Sequence, residues 1–261
     1  MKKTLLGTIT LLAAAQFTWG SIIFDDWNTG LGVFNQPNLN YSSTSSGITT
    51  DGTSKSTWDT TAADGIYEGA GMDLLQVVKN TSAGTLRVRW LSGIGTPANN
   101  TSFSTSGLSG GNDGWIGLYI MSPVANGTGW TVSFNLDGPA NTTTQMSWSG
   151  DQSITSDGTW HLYEWQINAT TWGQVPGIGG QSSGVLTSGS HTIDSIYLRS
   201  PSASRAAGSS WNFYVDAVGK TDDNSTLVSS LFTPNPVPEP TSLGLCLLGG
   251  FGLLATWFRR R

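Results

Sequence analysis

Between Ser21 and Phe232 apolar residues recur at every second position and not every third or fourth. That is the period of a strand with one buried face. Leu86, Val88 and Trp90 alternate with Arg87 and Arg89. Trp130, Val132, Phe134 and Leu136 alternate with Thr131, Ser133 and Asn135. Trp211, Phe213, Val215 and Ala217 alternate with Asn212, Tyr214 and Asp216. Similar runs predict strands over residues 22–27, 74–79, 115–121, 144–148, 159–167 and 192–199. Asp-Gly pairs beginning at Asp51, Asp64, Asp137 and Asp157, with Asn126-Gly127, supply hairpin-type turns between them. Roughly nine short strands with such punctuation predict an all-β fold, an antiparallel β-sandwich with Trp90, Trp130, Val132, Phe134, Phe213 and Val215 in its core. Residues 35–57 and 170–190 read as loops, and no repeat of fixed period occurs.

The two ends break this pattern. Met1-Lys2-Lys3 is a basic start, followed by a mostly apolar run over residues 4–15 that is short for a permanent anchor. It reads as a Sec-type signal peptide spanning residues 1–20. Small residues allow cleavage after Ala15 or after Gly20, and the strand-like Ser21-Ile22-Ile23-Phe24 favours Gly20. At the other end, residues 233–240 form a proline-rich linker that finishes in Pro238-Glu239-Pro240. An uncharged stretch over 241–258 follows, long enough as a helix to span about 27 Å, close to a bilayer's hydrocarbon thickness. Residues 259–261 are three arginines, which hold that end on the cytoplasmic side. The β-sandwich is therefore expected over 21–232, with a transmembrane helix behind it.

Pro-Glu-Pro, then an apolar span, then a basic end resembles the PEP-CTERM sorting signal of exported bacterial proteins. The resemblance implies that an exosortase-type processing enzyme recognises Pro238, Glu239 and Pro240. It further implies that the protein, tethered at first through its tail helix, passes to the cell surface or the extracellular polymer matrix.

Charge narrows the partners. Without Lys2, Lys3 and the terminal arginines the chain keeps seven basic residues against seventeen acidic ones, a balance of −10. Such a surface repels nucleic acid and anionic polymers. The single cysteine, Cys246, lies in the tail, so the exported body has no disulfide and relies on its core.

Ten of the twelve tryptophans lie in the body. Along residues 159–167 both strand faces carry aromatics. Trp160 and Leu162 share one face with Glu164 and Gln166; His161, Tyr163, Trp165 and Ile167 share the other. A sandwich strand has one core face, so either set is available to line an outer surface unless loops cover both. Aromatic rings receive the C–H faces of sugars, and adjacent carboxylates or amides bond their hydroxyls. The ligand candidates are therefore Trp160 with Glu164, or Tyr163 with Trp165, facing an extracellular polysaccharide. Trp58, Trp115 and Trp172 are secondary candidates.

A second resemblance lies in Phe24-Asp25-Asp26-Trp27 at the start of the body and Phe213-Tyr214-Val215-Asp216 at its close. With Asp157 to Trp165 and Ile193 to Leu198 between them, the pattern is similar to the jelly-roll of galactose-binding-like carbohydrate-binding modules. The resemblance implies adjacent first and last strands that share a structural calcium, for which Asp25, Asp26 and Asp216 would supply carboxylates.

Catalytic signatures are missing. Glu68 and Glu164 are the only glutamates before Glu239, and no paired-carboxylate motif of a glycosidase marks them. Neither His161 nor His191 sits in a His-Glu-x-x-His motif, and no Gly-x-Ser-x-Gly elbow occurs. The expectation is a non-catalytic protein.

Overall fold

The computed structural model describes residues 21–235, apart from 62–64, 83, 94–100, 106–112, 125–128, 139–145, 169, 177–183, 201–204 and 223–225. The signal peptide, the Pro-Glu-Pro motif, the 241–258 span and the arginine end lie outside the described residues. Among those described, no helix is long and apolar enough to cross a membrane.

Twelve strands are described: β1 (Ile22–Asp25), β2 (Lys55–Asp59), β3 (Met72–Val78), β4 (Leu86–Leu91), β5 (Ser102–Thr105), β6 (Trp115–Met121), β7 (Thr131–Asp137), β8 (Ser147–Trp148), β9 (Gln152–Ser153), β10 (Trp160–Gln166), β11 (Gly189–Ser200) and β12 (Ser210–Lys220). They form two antiparallel sheets. Sheet A runs β10-β6-β12-β3-β2, with β1 also on β12; sheet B runs β4-β11-β7-β8, with β5 on β11 and β9 on β7. The first and last strands are neighbours, with Ile22 opposite Lys220 and Asp25 opposite Val218.

The alternation places one core between the sheets. Leu75 and Val77 of β3, Ile116, Leu118 and Ile120 of β6, and Phe213 and Val215 of β12 meet Val88 and Trp90 of β4 and Val132, Phe134 and Leu136 of β7. All six core residues predicted from the alternation are fully enclosed. Aromatics lock the layers: Trp27 stacks on Trp90 at 5.9 Å, and Trp130 meets Phe213 edge-on at 5.3 Å. Burying side chains of this size stabilises by about 1.5–3 kcal/mol each.

Two departures from the alternation matter. Ser133 and Asn135 read as solvent-facing, yet both are buried, because sheet B's outer face carries a second layer. Met146, Val175 and Tyr197 pack there with Trp148, over an ion pair in which Arg89 donates to both oxygens of Asp194 at 2.5 and 2.8 Å. The other departure is a β-bulge in β12. Asp216 faces Tyr119 and Gly219 faces Gly117, so β12 spends one residue more than β6. Ala217 absorbs the extra residue at φ 55°. Asp216 and Ala217 consequently both serve the outer face of sheet A, while Val218 returns to the core.

Candidate functional site

The structure decides which face of β10 is which. Tyr163 and Trp165 belong to the core. The Tyr163 hydroxyl accepts the Thr155 amide at 2.8 Å, and the Trp165 ring meets Phe134 edge-on at 5.4 Å. Neither is available as a platform, so the reading of Tyr163 and Trp165 as ligand contacts is corrected: three apolar side chains at alternate positions won the inner face. Trp160, Leu162 and Glu164 point outward and remain half-exposed. Of the secondary candidates, Trp172 is buried, Trp115 is half-buried, and Trp58 is exposed with its indole N–H donating to the Trp27 carbonyl at 2.8 Å.

Trp160 does not stand alone. Tyr67, from the loop before β3, lies on Tyr119 of β6 with ring centroids 3.7 Å apart, and Trp160 leans on Tyr67 at 5.9 Å. The Trp160 indole N–H donates to the Gly65 carbonyl at 2.5 Å. Three carboxyls flank this cluster. Glu164 accepts the Val228 amide at 3.2 Å, and the Glu68 amide donates to Asp216 at 3.1 Å. Burial is the largest cause raising each carboxyl's pKa above the ordinary range. The Asp26 charge adds to the effect at Glu68, and Asp216, beside Glu68 and Asp26, is pushed up to about 8. Sequence reasoning missed Tyr67. It sits between Asp64-Gly65 and Gly69-Ala70-Gly71, where no period marks a face.

The chain after β12 packs over the same surface. A short 3₁₀ turn, Val228–Leu231, sets Val228 and Phe232 against Tyr119 and Ala217, with Leu231 at the margin. Asn235 then donates its amide to the Tyr67 carbonyl at 2.6 Å and its side chain to the carbonyls of Ile66 and Gly69. The linker expected to begin at 233 thus starts as a strap bonded to the body.

The end acids do not assemble a calcium site. Calcium takes six to eight oxygens. Asp25 instead directs its oxygens to the amides of Val33, Phe34 and Trp27 at 2.6, 3.2 and 3.3 Å. Gly32 presses so close that a Cβ there would lie 1.9 Å from Asp25 Oδ1. Asp26 accepts the Asn28 amide, and Asp216 accepts those of Glu68 and Ala217. Among the described residues no three Asp, Glu, His or Cys side chains converge to hold a metal. The donor set does not fit the ion, and these acids act as acceptors that pin loops to β1 and β12.

No family model matches the chain, and no curated protein matches it significantly. A solved structure similar to it is described as a family 11 carbohydrate-binding module from Clostridium thermocellum in complex with a β-1,3-1,4-mixed-linked tetrasaccharide. The two are 15% identical over 65% of this chain and 84% of that one, with a TM-score of 0.39. A likeness that distant carries nothing about a ligand.

Proposed function

We propose that this chain is an exported, non-catalytic cell-surface or extracellular-matrix protein whose jelly-roll-like sandwich binds polysaccharide on the outer face of sheet A. The observation that supports it is Trp160, half-exposed on the same face of β10 as Glu164 and backed by the Tyr67–Tyr119 stack. Such a face offers a ring for sugar C–H groups and a carboxyl for hydroxyls. A glycan-array screen of the protein beside Trp160→Ala tests it. Loss of one ring contact weakens binding roughly tenfold, about 1.4 kcal/mol. An array with no hit, including the host's own polymer, removes the binding role.

The address is part of the same proposal. The basic start, the apolar runs and Pro238-Glu239-Pro240 support Sec export, temporary membrane tethering and processing by an exosortase-type enzyme. Replacing the three motif residues by alanine should retain the protein in membrane fractions; unchanged mass and location would sink the sorting reading.

Two observations favour other readings. The Trp160 indole N–H and Glu164 are already partnered within the fold, which suits a structural matrix component without a ligand. Glu68 and Glu164 flank one aromatic cluster, which suits a glycoside hydrolase. Release of reducing ends from a bound glycan, abolished in Glu164→Gln, would establish the hydrolase over the binder.

A further inference from the structure

The chain after β12 adds no strand to the sheets among the described residues. The strands end at Lys220, and the core between the sheets reaches no further along the chain than Val218. Residues 228–235 pack instead on the outer face of sheet A, in a separate cluster where Val228 and Phe232 are buried against Tyr119 and Ala217. Their polar ties are local as well. The Val228 amide donates to Glu164, and Asn235 fastens the far end to the carbonyls of Tyr67, Ile66 and Gly69. The sheet beneath is bare. Gly219 of β12 stands opposite Gly117 of β6. A Cβ on Gly219 would lie 2.9 Å from Leu231 Cδ1 and 3.0 and 3.1 Å from two atoms of the Phe232 ring, so its three nearest neighbours all belong to the strap. An element with few buried apolar contacts, set outside the core, opens at lower free energy than the core does.

We propose that residues 228–235 form a releasable strap, a two-position device that lifts from sheet A as a unit while both sheets stay folded. Docked, it holds the chain that follows beside Tyr67 and covers Tyr119, Ala217 and Gly219. Lifted, it uncovers them and frees its eight residues, which add at most about 29 Å to the reach of whatever follows residue 235. Both positions share one core, so the strap moves between them without unpairing a strand. Gly219 sets the balance, because a side chain there meets the strap first.

Amide hydrogen exchange on the full chain, followed by NMR, tests this. The reference is the Thr221 amide, which donates to the Trp115 carbonyl at 2.8 Å just past the end of β12. The probes are the Val228 and Asn235 amides, which bond the strap to the body. Both should be protected, yet exchange at least about a hundredfold faster than Thr221 and with little dependence on urea, as a small local opening requires. Gly219→Ala should speed both about tenfold, the scale of a mild overpacking, and leave Thr221 unchanged. Should Gly219→Ala fail to fold, as judged by its thermal melt, Asn235→Ala gives the same reading, since it loses the side-chain bonds to Ile66 and Gly69. Probes that exchange together with Thr221, at one rate and one urea dependence, make the strap part of the core and overturn the proposal. Probes with no protection at all mean that the strap has no docked position, and overturn it too. So does a variant that speeds Thr221 as much as the probes, or one that speeds neither.

Discussion

Tyr67 lies flat on Tyr119, ring centroids 3.7 Å apart and planes 20° off parallel. This contact joins a loop without secondary structure to a central strand of sheet A, and the backbone of Tyr67 then receives Asn235. One ring thus carries the packing of both the loop and the strap. Tyr67→Ala should cost about 2 kcal/mol, combining a half-buried aromatic with a ring pair. Tyr67→Phe, which keeps the stacked ring, should cost about 0.5 kcal/mol or less. Urea denaturation separates the two, and faster amide exchange at Asn235 in Tyr67→Ala alone would confirm the link to the strap.

Stability should fall as pH rises from about 4 to 8. Burial raises the pKa of Asp25 to about 6, Asp73 and Asp137 to about 7 and Asp216 to about 8. The unfolded chain holds aspartates near 3.9. Through that window the native state binds more protons than the unfolded one, so the slope of unfolding free energy against pH is negative. The stabilisation is complete below about pH 4 and is lost as each group ionises on the way to pH 8. Thermal melts at pH 5 and pH 8 should differ in favour of pH 5. Asp73→Asn, which keeps the shape that accepts Thr57 at 2.9 Å, should reduce the difference without removing it, since Asp25, Asp137 and Asp216 remain.

The ion pairs on sheet B should differ in worth. Arg89 and Asp194 are 10% and 7% exposed, and Ser195 also donates to Asp194 at 2.6 Å. Asp194→Ala leaves a guanidinium enclosed without its partner and should cost about 3–5 kcal/mol. Arg199 and Asp151 are 24% and 15% exposed, and Asp151→Ala should cost nearer 1 kcal/mol. Equal costs in chemical denaturation would contradict this ordering.

Two glycines at φ +84° separate strain from collision. At Gly52 a Cβ meets nothing within 4 Å, whereas at Gly114 it would lie 1.8 Å from the Thr221 carbonyl oxygen. Gly52→Ala should cost about 1–2 kcal/mol, the left-handed penalty alone. Gly114→Ala must also displace backbone where Thr221 bonds Trp115, and should destabilise by several kcal/mol or fail to fold.

The strands that were legible in the sequence are those with one dry face. β4, β6, β7, β10 and β12 follow the alternation because their inner residues meet the opposite sheet. β2 was not legible: Lys-Ser-Thr-Trp-Asp is an edge strand with little apolar side chain to bury, and its first three residues fall inside the segment read as a loop. β5 and β9, of four and two residues, are too short to show a period. On β10 the two faces were separable but the core face was not, since aromatics occupy both. The polar partners hold the clue. Trp160 and Leu162 share their face with Glu164 and Gln166, whereas Tyr163, Trp165 and Ile167 form an unbroken apolar set. The bulge at Ala217, which turns Asp216 and its neighbour to the same side, comes from how β12 pairs with β6, and no local signal announces it.

Asn235 is fastened beside Tyr67, and Thr241 follows only six residues later. A chain that short reaches at most about 20 Å. Were the tail seated in a bilayer as proposed, that reach would keep the Tyr67 side of the body within about 20 Å of the lipid surface, and cutting the tail would remove that limit.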